Sequence, residues 1–291
     1  MKPASFDYYR ATTVKEAVGL LDRLGPEAKV LAGGQSLLPL MKLRLARPAA
    51  LVDLGRVTEL AYVRATDGRV AFGALARLDE LLSDRVRSVC PMLAETARHI
   101  GHTTIRHWGT VGGSLAHADP AAELPVVALA LDAEMVATGP GGQRVIPARD
   151  FFVTYLTTSL GPAEILSEAR FPALRPGTGW SFVELARRAG DFAIVAAAAV
   201  LDAAPDGAVA RARITLGAVA DRAIRCPEAE RMLEGAPGTA RAFEAAATTA
   251  AASLDPPGDV HGSSEYRRHL AGVLIRRALG QAWQRATAGG R

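Results

Sequence analysis

Two stretches decide the fold: Lys29-Val30-Leu31-Ala32-Gly33-Gly34-Gln35-Ser36 and, further along, Gly109-Thr110-Val111-Gly112-Gly113-Ser114. The first opens as a short apolar run, which predicts a buried strand, and leaves it through two glycines. Paired glycines admit positive φ and let a ligand approach the backbone. Their consecutive N–H groups can converge on a pyrophosphate, and Ser36 adds a hydroxyl. Taken alone, Gly-Gly-x-Ser after a strand is more often an ordinary turn. The second stretch offers the same ingredients, with Thr110 and Ser114 supplying hydroxyls. Two such loops can clasp a dinucleotide from both sides, and a side chain at Gly34 or Gly113 would stand where the phosphates approach. Neither stretch is a G-x-G-x-x-G fingerprint, and the chain contains no Gly-Lys pair, so Rossmann and Walker A loops are excluded.

Working outward, Thr13-Val14-Lys15-Glu16 has the form of a capping box. Val14, Ala17, Val18, Leu21 and Leu24 then mark one helical face, ended by Gly25-Pro26. Leu51–Leu54 predicts a second short strand, giving a small βα unit. Tyr62–Ala65 and Arg69–Phe72 flank Thr66-Asp67-Gly68 as a hairpin, and a second hairpin is expected about Gly139–Gly142. Helical stretches are expected at Leu78–Leu82, Met92–Ile100 and Val126–Leu131. Beyond Phe171-Pro172, the residues Pro176, Gly177 and Gly179 suggest a linker. Strands at Ser181–Leu185, Ile194–Leu201 and Val209–Ala218 follow, then helices at Ala240–Ala252 and Glu265–Ala286. Strands followed by helices predict an α+β architecture.

Composition excludes several function classes. The 291 residues are 49% hydrophobic, with 34 basic against 30 acidic side chains. The basic residues are scattered, nearly all arginine, and form no block interleaved with aromatics, which argues against a nucleic-acid binder. No apolar run is long enough to span a bilayer, and the N-terminus lacks the apolar core of a secretory signal, so a cytoplasmic protein is expected. Cys90 and Cys226 each precede a proline, and no C-x-x-C occurs, so no iron–sulfur or zinc-thiolate site of its own is expected. His99, His102 and Asp119 suggest a metal set, but Gly101 interrupts the helix and the ligand spacing is wrong; no metal is expected. Ser114, His117 and Asp119 lie too close in sequence for a triad, and G-x-S-x-G is absent, so no catalytic residue is assigned.

The glycine stretches extend into longer signatures. Ala32-Gly33-Gly34-Gln35-Ser36-Leu37 precedes Leu40-Met41-Lys42-Leu43-Arg44-Leu45; Thr110 to Glu123 reads Thr-Val-Gly-Gly-Ser-Leu-Ala-His-Ala-Asp-Pro-Ala-Ala-Glu; and Arg188-Ala189-Gly190-Asp191-Phe192-Ala193 follows. Together they resemble the paired flavin signatures of the FAD-binding medium subunits of the molybdenum hydroxylases, the group of the aerobic carbon monoxide dehydrogenases and the xanthine dehydrogenase FAD subunits. The resemblance covers nearly the whole chain in order. It implies a two-lobed FAD-binding domain of the PCMH (vanillyl-alcohol-oxidase) type over 1–174, with lobes of about 1–55 and 56–174. A smaller C-terminal domain of three strands and helices would occupy 175–291.

By the same resemblance Lys29, Val30, Leu31, Ala32, Gly33, Gly34, Gln35 and Ser36 bind the FAD pyrophosphate through backbone amides. Gly109, Thr110, Gly112, Gly113 and Ser114, with His117, complete the phosphate and ribityl contacts. Glu123, often Asp in relatives, contacts the adenosine portion; the edge strand near Ser167 supplies backbone contacts; Phe192 covers the isoalloxazine ring. Phe192 also has a plain alternative as a core phenylalanine. Two departures stand out: Arg106-His107-Trp108 replaces a common Arg-Asn-Arg, and Val183-Glu184 stands where many relatives carry a lysine near the flavin. An acid there would disfavour an anionic reduced flavin. The implied partners are a molybdopterin-binding large subunit and a 2Fe-2S small subunit, assembled as a dimer of heterotrimers. Electrons would leave for NAD, oxygen or a quinone. The rivals are a stand-alone flavin oxidoreductase, resembling the cell-wall enolpyruvoyl reductases, and a flavin-free scaffold.

Overall fold

The structure is a computed structural model that describes residues 2–66 and 68–288. Asp67, the central residue of the first expected hairpin turn, lies outside the described residues.

The first layer is built by β1 (Asp7–Arg10), α1 (Val14–Leu24), β2 (Ala28–Leu31), α2 (Leu37–Lys42) and β3 (Ala50–Asp53). Its three strands run parallel in the order β1-β3-β2. Thr13 caps α1 as expected, its Oγ1 accepting from Glu16 N at 3.1 Å. The Glu16 carboxyl reaches one residue further back than a capping box requires and accepts from Thr12 N at 2.8 Å. Ala17, Val18 and Leu21 bury the apolar face of α1. Strand β1 had no sequence signature, because Asp-Tyr-Tyr-Arg is largely exposed and lacks an apolar alternation.

The second layer comprises β4 (Val63–Thr66), β5 (Arg69–Gly73), α3 (Asp84–Val89), α4 (Pro91–Thr96), α5 (Thr103–Trp108), α6 (Val111–His117) and α7 (Glu123–Ala130). It continues through β6 (Glu134–Gly139), β7 (Gly142–Pro147), α8 (Ala148–Phe151), β8 (Phe152–Thr154), β9 (Thr157–Thr158) and β10 (Ile165–Pro172). Both expected hairpins form, β4–β5 and β6–β7. Leu78–Leu82 closes only a 3-10 turn. The five-stranded sheet has the order β4-β5-β10-β6-β7. The strand carrying Ser167 is therefore central, not the edge strand expected. Its apolar residues are buried along most of its length, as a strand paired on both sides requires. All eight residues of α7 are buried, the mark of a helix packed on every face.

The third layer holds β11 (Thr178–Ala186), β12 (Ala193–Ala203), β13 (Val209–Gly217) and β14 (Ile224–Arg225), an antiparallel sheet in that order. To the three long strands that the sequence predicts, the structure adds the two-residue β14. Helices α9 (Pro227–Leu233), α10 (Ala240–Ala252) and α11 (Ser264–Ala288) complete it. Strand β12 shows why its alanine run is needed. Ala196, Ala198 and Val200 pack into the core shared with α7, whereas Val195, Ala197, Ala199 and Leu201 pack into the core beneath α10 and α11. The sheet is a middle layer with apolar residues on both faces. Gly179, expected in a linker, instead lies in β11 against α11, where a Cβ would collide with the backbone of Ala282. Cys90 and Cys226 are buried thiols pushed up to about 12 by burial, hence inert.

Candidate functional site

The turn from β2 into α2 leaves its amides unspent. Among the described residues, no acceptor takes the backbone N–H groups of Ala32, Gly33, Gly34, Gln35 or Ser36. Buried or half-buried N–H groups in folded proteins are nearly always paired, so a run of them marks a place for an external acceptor. Gly34 holds φ +72°, the left-handed region that glycine occupies without strain. Gly33 is glycine for a different reason. A Cβ there would collide with the Trp108 carbonyl oxygen and lie 2.9 Å from the Gly109 Cα. The two glycine stretches therefore touch backbone to backbone, as the clasp requires. Lys29 is exposed, and Val30 and Leu31 are half-buried in β2.

The second stretch differs from the open loop that its composition suggests. Thr110 caps α6, its Oγ1 accepting from Gly113 N at 3.0 Å, and helix begins at Val111. Val111 N donates to Ala76 O at 2.9 Å, Gly112 N to Ala74 O at 3.1 Å and Ser114 N to Thr110 O at 3.0 Å. Gly109 N donates to Ile105 O at 2.7 Å. Of this stretch only the Thr110 N–H and the Ser114 hydroxyl remain without a partner among the described residues. Gly112 serves packing, since a Cβ would come within 2.6 Å of the Ala74 Cα. A Cβ at Gly113 would meet Ala32 at 3.6 Å, so α6 starts beside the unspent amides. His117 closes α6 half-buried, and burial lowers its pKa against the opposing pull of Asp119. Asp119 Oδ1 accepts from Ala121 N at 2.9 Å, a turn contact, and no hydrogen bond links it to Ser114 or His117.

Ser167 lies at a bulge between Leu166 and Glu168, where β10 shifts register against β6. Its carbonyl accepts from Ala74 N at 3.0 Å, and its buried hydroxyl donates to Val136 O at 3.0 Å. Phe192 is 62% exposed, which rules out the core reading. It ends the 187–192 loop of the β11–β12 hairpin, next to the paired Ala193, and lines a cleft of about 590 Å³ that also takes in Asp119, Tyr155, Arg188 and Arg267. Trp108 is likewise 62% exposed, with the Arg77 guanidinium 5.8 Å from its ring centroid and hydrogen-bonded to its carbonyl. Nothing in the sequence signals that Arg77 contact.

Glu123 sits at the first turn of α7, 6% exposed. Burial, then the nearby Glu184, pushes its carboxyl up to about 7. Glu184, on β11, points inward: its side chain is 6% exposed and its Oε1 lies 3.2 Å from His99 Nδ1. The His99 ring is pushed above its ordinary value, chiefly by that hydrogen bond. Val183 packs toward the core beneath α10 and α11. The acid that the resemblance sets near the flavin thus has a histidine partner. His99, Glu123 and Glu184 meet only through the fold, being far apart in sequence.

Two family models match the chain: the FAD binding domain in molybdopterin dehydrogenase over residues 4–174, and the CO dehydrogenase flavoprotein C-terminal domain over residues 180–282. The 6-hydroxypseudooxynicotine dehydrogenase complex subunit alpha of Paenarthrobacter nicotinovorans is 45% identical over 98% of this chain and 97% of its own. The carbon monoxide dehydrogenase medium chain of Hydrogenophaga pseudoflava is 40% identical over 98% of this chain and 99% of its own. A solved structure of carbon monoxide dehydrogenase from that organism superposes with a TM-score of 0.95 at 41% identity, covering 98% of this chain and 99% of that one.

Proposed function

We propose a division of labour from one premise: this chain belongs to the FAD-binding medium subunits of the molybdenum hydroxylases. It binds FAD and works in an oxidoreductase complex. Within that complex it is the electron-transfer subunit. Bound FAD would supply the electron exchange between iron–sulfur clusters of a small subunit and an outside acceptor: NAD, oxygen or a quinone. Hydroxylation belongs to a molybdopterin-binding large subunit, and the assembly is a dimer of heterotrimers in the cytoplasm. The described residues include no helix long and apolar enough to cross a membrane. By this reading the FAD-binding domain is assigned to 1–174 and the C-terminal domain to 175–291.

The observation that carries this reading is the run of unspent amides from Ala32 to Ser36, pressed against Trp108 and Gly109. These N–H groups hold the pyrophosphate. The Ser114 hydroxyl and Thr110 N–H add contacts from the other side, and Phe192 screens the ring from water. None of these residues performs acid–base chemistry; the protein supplies position and electrostatics. The purified chain is expected to be yellow, to carry FAD and to pass electrons from NADH to an artificial dye. It should oxidise no aldehyde, N-heterocycle or carbon monoxide until co-expressed partners are added. Substrate oxidation by the chain alone, free of molybdenum and iron, would place it elsewhere in the electron path.

The exposure of Phe192 sharpens a second expectation. A fully buried phenylalanine costs about 3–5 kcal/mol when cut to alanine, whereas an exposed one costs far less. Phe192→Ala should therefore shift the flavin absorption and raise reactivity with oxygen while the melting temperature stays near wild type. An unchanged flavin spectrum in a folded, FAD-loaded variant would overturn its place over the ring.

A further inference from the structure

We propose that His99 and Glu184 form a latch that holds the β11–β12 hairpin, and with it Phe192, in place over the cofactor cradle. They act as positioning residues. The inference rests on the reading that FAD lies between the glycine clasp and Phe192.

Three contacts tie the hairpin to residues 99–102. Glu184 Oε1 lies 3.2 Å from His99 Nδ1. The Phe182 ring, on the same strand, stands edge-on to the His99 ring with centroids 5.4 Å apart. Gly190, at φ +83°, rests so closely on His102 that a Cβ would come within 2.8 Å of its Nδ1 and 3.1 Å of the Gly101 carbonyl carbon. Gly190 is two residues from Phe192, so the contacts reach into the loop that carries it.

The same segment leads to the other end of the cradle. Arg106 Nη1 donates to the carbonyls of Ile100 and Gly101, both at 3.0 Å, and its Nε lies 3.2 Å from Asp79 Oδ1. That guanidinium locks the start of α5, and α5 ends at Trp108, whose carbonyl meets Gly33. One rigid stretch, 99–109, thus bears the hairpin at one end and the clasp at the other. A change at His99 moves Phe192 without disturbing the amides of Ala32 to Ser36.

The latch has one buried end and one open end: the Glu184 side chain is 6% exposed and that of His99 37%. His99 faces Glu184 from β11, Glu123 from α7 and Glu95 from α4, and Glu95 is itself paired with Arg285 of α11 at 3.0 Å. Asp119 lies beyond Glu123. Glu184 Oε2 is buried with no partner among the described residues. Loss of the imidazolium charge would leave Glu184 with at most a neutral hydrogen-bond partner while Glu123 still acts on it. The latch holds on the acid side of the His99 titration and loosens as pH rises through it.

Hydrogen–deuterium exchange of residues 186–193 in the full chain, with and without FAD, reads the hairpin directly. Glu184→Gln and His99→Gln should each speed exchange there by roughly tenfold, as for a lost charge-assisted hydrogen bond, and leave α10 unchanged. Corrected for intrinsic rates, wild type should show the same gain at alkaline pH, and both variants should lose that pH dependence. In the FAD-loaded chain, collisional quenching of flavin fluorescence by iodide should rise in parallel. Unchanged exchange in both variants overturns the latch, whether or not FAD binds. Faster exchange with unchanged quenching overturns its link to Phe192. Failure to retain FAD in wild type sinks the functional reading instead, while the exchange result still judges the latch.

Discussion

Replacing Gly33 with alanine is expected to cost the chain its flavin while leaving it folded. The added carbon would collide with the Trp108 carbonyl and sit 2.9 Å from the Gly109 Cα. Both obstacles are backbone, so neither rotates away; the β2–α2 turn must part from the α5–α6 junction. The unspent amides then no longer face Ser114 across the clasp. The other glycines make graded controls. A Cβ at Gly34 meets side chains, Leu38 at 2.9 Å and Leu31 at 3.4 Å, so Gly34→Ala suffers mainly the strain of φ +72°, about 1–2 kcal/mol. Gly113→Ala presses on the Thr110 hydroxyl at 2.7 Å and loosens the helix cap, about 1 kcal/mol. Retained FAD should fall at least tenfold in Gly33→Ala, equivalent to about 1.4 kcal/mol of binding free energy. The controls should lose less. Flavin content per folded chain is read by absorbance alongside far-UV circular dichroism. Stoichiometric FAD in a folded Gly33→Ala chain would sink the clasp.

Much of this was legible in the sequence wherever local chemistry carried the signal. Thr13, the turns of both hairpins, and helices α10 and α11 were announced by caps, turn residues and period. The first glycine stretch was read correctly as a source of free amides. The second misled because Gly-Gly and flanking hydroxyls describe a helix N-terminus as well as a loop. What decides between them is Ala74 and Ala76, distant residues whose carbonyls accept from Gly112 and Val111. The central position of β10 was hidden for a similar reason: sheet order depends on partners, and Ile165–Pro172 shows only its own burial. Gly33 was assigned to ligand approach, and only the fold reveals that it first lets the chain approach itself. Glu123 is the clearest case. The resemblance implies an adenosine contact for it, whereas the neighbours that act on its charge, Glu184 and His99, come from other elements altogether.

Glu123 is therefore expected to act on stability, with a sign that depends on pH. A carboxylate at the first turn of a helix is ordinarily favoured by the exposed N–H groups. Here burial and Glu184 prevail, and the carboxyl rises from its ordinary 4.5 to about 7. The folded chain then holds this proton more tightly than the unfolded chain. Stability is full below about pH 4.5 and declines as pH rises towards 7, by about 3 kcal/mol at most. Glu123→Gln keeps the shape and removes the ionisation. At pH 5 it should melt close to wild type; at pH 8 it should be the more stable, by up to about 3 kcal/mol and roughly 5–10 °C in a chain of this size. His99, also raised and in part by Glu123, is coupled to it, so the difference between the two curves reports Glu123 together with its pull on His99. Melts are run with FAD saturating in both, because a bound ligand shifts the midpoint. The carboxyl is covered by protein, so FAD affinity should change little. A variant less stable than wild type at pH 8, with weakened FAD binding, would show that the carboxylate reaches the adenosine after all.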